Sequence, residues 1–175
     1  MATLLHSISG ELTQQLLAAG DDIKVSKIHL TNTQKVSKCK VDLYIEKTLT
    51  GKFYLLKGVE LPVGATLIYE PPRFSNKIGE NALYIKLTDG ATFTLTGSLD
   101  PTGTNTNVPG TNTLYTSELS IGDEVVVSGE TRTIATITGD TTATVSAAWG
   151  SDLANDTSPD CNPTALVDVI INQFK

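Results

Sequence analysis

Few side chains of this 175-residue chain have the types and spacing that chemistry requires. The two histidines, His6 and His29, have no second His, Cys or carboxylate at the spacing of a metal site, so both are predicted to be solvated surface residues. The acid pairs at 21–22 and 123–124 could act as general acid and base or bind Ca²⁺. Adjacent carboxylates on a strand point to opposite faces, however, so "GDDI" and "IGDE" are better explained as turn sequences.

Other reactive groups are equally sparse. The sequence contains no GxSxG, P-loop, HExxH or GxGxxG motif. Cys39 alternates with Val41, Leu43 and Ile45 and is predicted to be a small buried hydrophobic residue, whereas Cys161 lies in a polar, loop-like sequence. The sequence does not decide whether the two cysteines form a disulfide, although cytoplasmic synthesis argues against one. We therefore expect no enzyme, no catalytic residues, no cofactor and no metal.

A cluster of lysines is the first candidate for binding a partner. Seventeen residues contain Lys24, Lys27, Lys35, Lys38 and Lys40. These lysines either protect an exposed strand edge from aggregation or dock on an acidic partner, and Lys35, Lys38 and Lys40 are the docking candidates. Nucleic acid is not expected, because the net charge is −6 and the basic segment lacks interleaved aromatic residues.

The segment "YEPPRFSN" is the second candidate. Tyr69, Pro71, Pro72 and Phe74 would crowd an exposed loop there, and exposed apolar loops often form interfaces. Tyr69, Arg73 and Phe74 are the docking candidates of this segment. A packed corner explains the same residues equally well.

Short apolar runs separated by Gly and Pro predict an all-β fold to carry these candidates. "CKVDLYIEK" alternates as a strand with one buried face, and the apolar phase of "DDIKVSKIHLTN" slips at Ser26–Lys27, which predicts a β-bulge. "ELTQQLLAAG" fits either a short helix or an edge strand. The apolar "TALVDVIINQF" is predicted to be a central strand that pairs with "ALYIKLTDG".

Charge divides the chain into two parts. Residues 90–160 contain nine acids and one base, whereas 1–89 and 161–175 together carry a net charge of +2. Polar tracts, "GSLDPTGTNTNVPGTNT" and "GSDLANDTSPDCNPT", lie at the two changes in composition. We predict an antiparallel β-sandwich body, jelly-roll-like, formed by 1–89 and 161–175. A small acidic β-barrel-like domain, 90–160, is inserted before the last strand, in the last hairpin.

The inserted sequence predicts a meander. "SGET" would turn between "EVVV" and "RTIATI", and "TGDT" would turn before "TATVSAAW". Trp149 is its largest apolar residue and would anchor a compact core. The insert is either a binding or spacing element or a passive addition.

Several of these strings resemble a known class of proteins. "KIHLTNTQKVSKCKVDLYIEK", "GKFYLLKGVELPVGATLIYE", "ALYIKL" and the closing "DVII" resemble the body of small virion structural proteins of tailed bacteriophages. The segment from Thr113 to Ser146 is similar to a separate module of phage structural proteins. The resemblance implies a capsid decoration (cement) protein that docks on the major capsid protein, or a neck, tail or fibre accessory protein.

Two hypotheses follow for the function. The first is a non-enzymatic virion component, made in the host cytoplasm, that forms a homo-oligomer, preferably a trimer, and binds capsid, neck or tail proteins. The second is a receptor- or carbohydrate-binding module, which usually needs exposed aromatic side chains near amides and carboxylates. No membrane partner is expected, because the sequence has neither a long apolar run nor a signal peptide pattern.

Overall fold

A computed structural model describes residues 2–20, 24–47, 50–72, 81–153 and 155–174 of the chain. Their regular structure is almost entirely β. The strands, in chain order, are β1 (Ala2–Ser9), β2 (Thr13–Leu17), β3 (Lys24–Asn32), β4 (Cys39–Lys47), β5 (Gly51–Leu61), β6 (Thr66–Tyr69), β7 (Asn81–Thr88), β8 (Phe93–Thr94), β9 (Ser98–Leu99), β10 (Asn107–Thr111), β11 (Glu124–Val127), β12 (Glu130–Gly139), β13 (Thr142–Val145), β14 (Asp160–Asn162) and β15 (Leu166–Phe174), with one helix, α1 (Tyr115–Glu118), after β10.

The chain divides into two compact units. The body unit consists of Met1–Thr33, Lys38–Asp89 and Ala165–Lys175, and the inserted unit consists of Gln34–Ser37 and Gly90–Thr164. The inserted unit therefore includes Gln34–Ser37, from the loop after β3, and residues 161–164, all of which the sequence analysis assigned to the body. Whether the inserted unit is a domain that folds by itself stays a prediction.

The body unit contains two four-stranded antiparallel sheets. The first sheet has the order β1-β15-β3-β6 and the second has the order β2-β7-β4-β5. The pairs β1–β15, β2–β7, β3–β6 and β4–β5 are successive parts of one long hairpin that is wound into two sheets. This strand order is that of a jelly roll, so the predicted antiparallel sandwich is confirmed.

Alternating apolar side chains from both sheets form one core in the body unit. Each core strand turns every second residue inward, as the pleat requires. The buried members are Ile8, Leu16, Leu17, Val25, Ile28, Leu30, Cys39, Val41, Leu43, Leu61, Leu83, Ile85, Leu87, Ala165, Val167, Val169 and Ile171.

The predicted bulge in β3 is present, and the segment that fitted a helix or a strand contains a strand. The register between β3 and β15 shifts at Ser26, because Asn172 lies opposite Lys27 and Gln173 opposite Val25. This is the predicted bulge, and it places Val25 on the buried side with Ile28. The segment "ELTQQLLAAG", which fitted a helix or an edge strand, contains the edge strand β2.

The predicted pairing of the last strand is wrong. β7 pairs with β2 and β4, whereas β15 pairs with β1 and β3, so the two strands belong to different sheets. Alternation identifies the buried face of a strand but not its neighbour, and a strand that is apolar along its length can pair in either sheet. The insertion therefore precedes the last strand, as predicted, but does not lie within a hairpin.

The inserted unit is built on one seven-stranded antiparallel sheet with the order β8-β14-β11-β12-β13-β10-β9. The predicted meander β11–β12–β13 is present, and the first turn places Ser128 and Gly129 at positive φ, as a two-residue hairpin requires. The barrel-like form stays a prediction. The buried core consists of Leu95, Leu99, Val108, Tyr115, Leu119, Val125, Val127, Ile134, Ala143, Val145, Trp149 and Cys161.

Two polar segments of the inserted unit contain core residues. The entry tract contains β9 and β10, and its Leu99 and Val108 are fully buried, so it is part of the core structure despite its polarity. Cys161 is fully buried in β14, so its assignment to a polar loop is wrong. A few apolar residues spaced along a polar tract are enough to form short strands when a larger sheet supplies partners. Both cysteines are free thiols.

Candidate binding face

The outward side of the second sheet carries three tyrosines and one glutamine in a row across its four strands. Gln15 of β2 lies opposite Tyr84 of β7, Tyr84 lies opposite Tyr44 of β4, and Tyr44 lies opposite Tyr54 of β5. These positions alternate with buried core residues such as Leu43 on β4, so the row points away from the core. We call these four residues the tyrosine row.

The members of the tyrosine row pack on one another. The rings of Tyr44 and Tyr84 are stacked with centroids 5.6 Å apart, and those of Tyr44 and Tyr54 are tilted at 5.5 Å. Gln15 Nε2 donates a hydrogen bond to Tyr84 Oη at 2.9 Å. Tyr44 is therefore only 2% exposed although it points outward, whereas Tyr54 is 45% exposed. The row offers a rigid aromatic surface with an amide at one end.

Lysines surround the tyrosine row. Lys52 Nζ lies 4.6 Å from the ring centroid of Tyr44, and Lys57 Nζ lies 4.0 Å from that of Tyr54, both within cation–π distance. Five lysines and three acids belong to this face, which gives it a formal charge of +2 on a chain of −6. We call it the tyrosine–lysine face, and its charged residues are Lys38, Lys40, Lys52, Lys57, Lys86, Asp42, Glu46 and Glu60.

The acids of this face are partly neutralised. Burial alone would raise the pKa of Asp42, but the Gly58 N–H at 2.7 Å and the Lys57 ammonium at 3.1 Å outweigh it and hold this pKa below its ordinary value. Lys38 Nζ donates to Glu60 Oε2 at 2.8 Å and lowers the pKa of Glu60. Both carboxylates are therefore ionised at neutral pH, and the lysines remain in excess.

The structure separates the predicted docking residues. Lys38 and Lys40 are exposed at the tyrosine–lysine face. Tyr69 lies at the end of β6, is half-buried and packs against the body core, which favours the packed-corner interpretation for this residue. Arg73 and Phe74 lie outside the described residues.

Lys35 is exposed and its ammonium contacts backbone carbonyls of the inserted unit, so its docking role stays a prediction. Lys35 Nζ donates to the backbone carbonyls of Thr116 and Leu119, at 3.0 and 2.9 Å. These carbonyls lie at the C-terminal end of α1, where a cation is favourable. The sequence did not predict this contact, because its pattern does not distinguish Lys35 from Lys38 and Lys40.

Asp123 forms a buried polar centre next to this contact. Its Oδ1 accepts hydrogen bonds from Gln34 Nε2 and the Thr164 N–H, both at 2.8 Å, and its Oδ2 accepts one from the Ser120 N–H at 2.7 Å. Burial nevertheless raises its pKa. Glu124 is exposed, so the expectation of opposite faces is confirmed. The saturated hydrogen bonding indicates a structural carboxylate that holds Gln34 in the inserted unit.

Sequence reasoning missed the tyrosine row. Each tyrosine lies near the middle of its strand on the outward phase, which the sequence does show. What the sequence lacks is the register that brings Tyr44, Tyr54 and Tyr84 into one line. Because of that register, tyrosines lie among the lysines of this face, although the basic segment 24–40 itself contains no Phe, Trp or Tyr.

His6 and His29 lie in β1 and β3 of the first sheet. Both histidines are half-buried rather than solvated. Within the described ranges, no three His, Cys, Asp or Glu side chains are grouped so that they could hold a metal ion. No helix in the described part of the chain is long and apolar enough to cross a membrane.

Comparisons with protein-family models, with curated proteins and with solved structures found no match to this chain.

Proposed function

We propose that this protein is a non-enzymatic structural component of a bacteriophage virion, a capsid decoration protein that docks on the major capsid lattice through its tyrosine–lysine face. The observation that carries the proposal is the positive, aromatic face on an otherwise acidic chain. Such a face suits an acidic protein surface, because lysines accelerate association and aromatic side chains supply most of the contact energy.

Two further observations support this function. The strand order of the body unit is that of a jelly roll. Viral capsid proteins share this fold with lectins and enzymes, so the fold supports a virion function by analogy only. The sequence strings that resemble phage virion proteins include β4, β5 and β7, which carry the tyrosine row. In this proposal the protein is located in the virion, and its partners are copies of itself and a shell protein.

Charge reversal at the face tests the proposal. Lys38→Glu with Lys40→Glu should weaken cosedimentation with phage shells that lack the protein by at least about tenfold, because both lysines are exposed and would face acidic groups. Wild-type binding should also weaken as salt rises. The matched control is Lys24→Glu with Lys27→Glu, which changes the net charge equally but alters β3 of the first sheet. Equal binding by both double variants would reject docking through this face.

A carbohydrate-binding tip of a tail fibre is the second candidate function. The exposed ring of Tyr54, with the Gln15 amide at the other end of the row, is the combination of aromatic and amide groups that sugar sites use. Tyr54→Ala should then abolish binding on a glycan array, and Phe53→Ala, an equally exposed residue on the opposite side of β5, should retain it. Glycan binding without shell binding would favour the fibre function.

A further inference from the structure

The four edge strands of the body unit are protected to different degrees. β6 is four residues long and is followed by Glu70, which pairs with Lys27 at 3.1 Å, and by two prolines. β2 has a register shift between Gln15 and Leu17, and β5 carries charged residues and further register shifts. Short length, charge, proline and bulges are the usual features that prevent a strand edge from pairing with another chain.

β1 has none of these protections. It runs for eight residues in unbroken register with β15, and it contains no charged residue, no proline and no glycine. Among the described residues, β15 is the only strand that pairs with it. The other side of β1 therefore presents backbone N–H and C=O groups that no described strand satisfies, which is the template that a further strand needs.

An apolar row leads to this edge across the first sheet. Leu5 lies opposite Ile170, Ile170 opposite His29, and His29 opposite Ile68. Leu5, at the edge, is 72% exposed, and the row is otherwise flanked by polar pairs such as Ser7 with Asp168. A depression of about 260 Å³, lined by Leu5, His6, Ser7, Asp168, Val169 and Ile170, lies beside it. Among the large apolar side chains of the described strands, the most exposed one thus lies at this unprotected edge.

We propose that β1 pairs antiparallel with β1 of a second copy, so that two first sheets join into one eight-stranded sheet. A two-fold axis through Leu5 keeps outward residues opposite outward residues, because antiparallel partners share a face. Leu5 then meets Leu5 of the second copy, Thr3 meets Ser7, and the apolar row continues across both molecules. No like charges meet, since β1 has no charged side chain. The arrangement is a dimer and not the trimer that the resemblance implied.

Mass measurement with edge variants tests this pairing on the whole chain. Analytical ultracentrifugation should show a species of twice the 18.6 kDa chain mass that dissociates on dilution. Leu5→Lys should raise the dissociation constant at least tenfold, because two ammonium groups would meet at the axis. The matched control is Leu12→Lys, since Leu12 is 76% exposed and lies outside every strand, and it should leave the dimer unchanged.

Cross-linking gives an independent readout that does not depend on the stability of the lysine variant. Leu5→Cys should form a disulfide-linked dimer under mild oxidation, because residues opposite each other at an antiparallel pair approach to disulfide distance. Leu12→Cys should form no disulfide-linked dimer, because Leu12 lies away from the axis, and Cys39 and Cys161 are buried and should not interfere. A monomer at all concentrations, a trimer, or a dimer that neither responds to Leu5→Lys nor cross-links at Leu5→Cys would overturn the proposal. Each of these results leaves the shell-binding test of the tyrosine–lysine face unaffected.

Discussion

The side chain of Asp89 accepts a hydrogen bond from the backbone N–H of Ala165 at 2.7 Å, although 76 positions separate the two residues in the chain. Asp89 is the last body residue before the long insertion and Ala165 is the first one after it. The two body residues that flank the inserted segment 90–164 therefore lie so close together that a few residues can connect them.

We predict that replacing residues 90–164 by a short Gly/Ser linker leaves the body unit folded. The linker needs to cover only the gap between Asp89 and Ala165, and both body sheets retain all eight strands. Circular dichroism should show a cooperative thermal transition of a β protein. A product without such a transition would mean that the body unit requires the inserted unit to fold.

Removal of the Asp123 carboxylate should destabilise the inserted unit. Asp123→Ala removes the acceptor of three hydrogen bonds, donated by Gln34 Nε2 and by the N–H groups of Ser120 and Thr164, and the expected loss is roughly 3 kcal/mol of unfolding free energy. Urea unfolding followed by the fluorescence of Trp149, the single tryptophan, reports on this unit. Asp152→Ala, at an exposed acid of the same unit, should cost less than about 0.5 kcal/mol.

The unfolding free energy should also depend on pH through the Asp123 carboxylate. Burial raises the pKa of folded Asp123 above its ordinary 3.8, against the opposing effect of its hydrogen-bond donors. The folded state therefore binds this proton more tightly, so the stabilisation is complete below pH 3.8 and is lost as the pH rises through the folded pKa. The unfolding free energy of the wild type should fall relative to that of Asp123→Asn over this range. A relative rise would show that the donors outweigh burial.

Gly110 should not tolerate a side chain, for a steric reason alone. A Cβ atom there would overlap Thr113 Oγ1 and lie 2.7 Å from Tyr115 Oη, and both of these residues are buried. Gly110→Ala should cost about 2 kcal/mol by overpacking. At Gly139 of the same unit a Cβ would meet nothing within 4 Å, so Gly139→Ala should be neutral within about 0.5 kcal/mol in the same fluorescence assay.

The sequence predicted those features that depend on one strand at a time. Alternation identified the buried side of β4, and a slip in that alternation located the bulge at Ser26. The sequence does not show which strands pair or in which register. It therefore predicted neither the sheet in which β15 lies nor the alignment of the tyrosine row. Lys35 shows a third limit, because a lysine that contacts the carbonyls at the end of α1 has the same sequence pattern as Lys38 and Lys40, which lie at the tyrosine–lysine face.

The position of β15 between β1 and β3 also constrains the order of events during synthesis. Ala2 pairs with Gln173, so the first sheet cannot be completed until the ribosome has made the whole inserted unit and the strand after it. Until then β1 and β3 lack their common neighbour, and their apolar side chains are open to other nascent chains. Closing such a distant pair is slow, so we expect a lag between translation and the native body unit during which aggregation competes with folding.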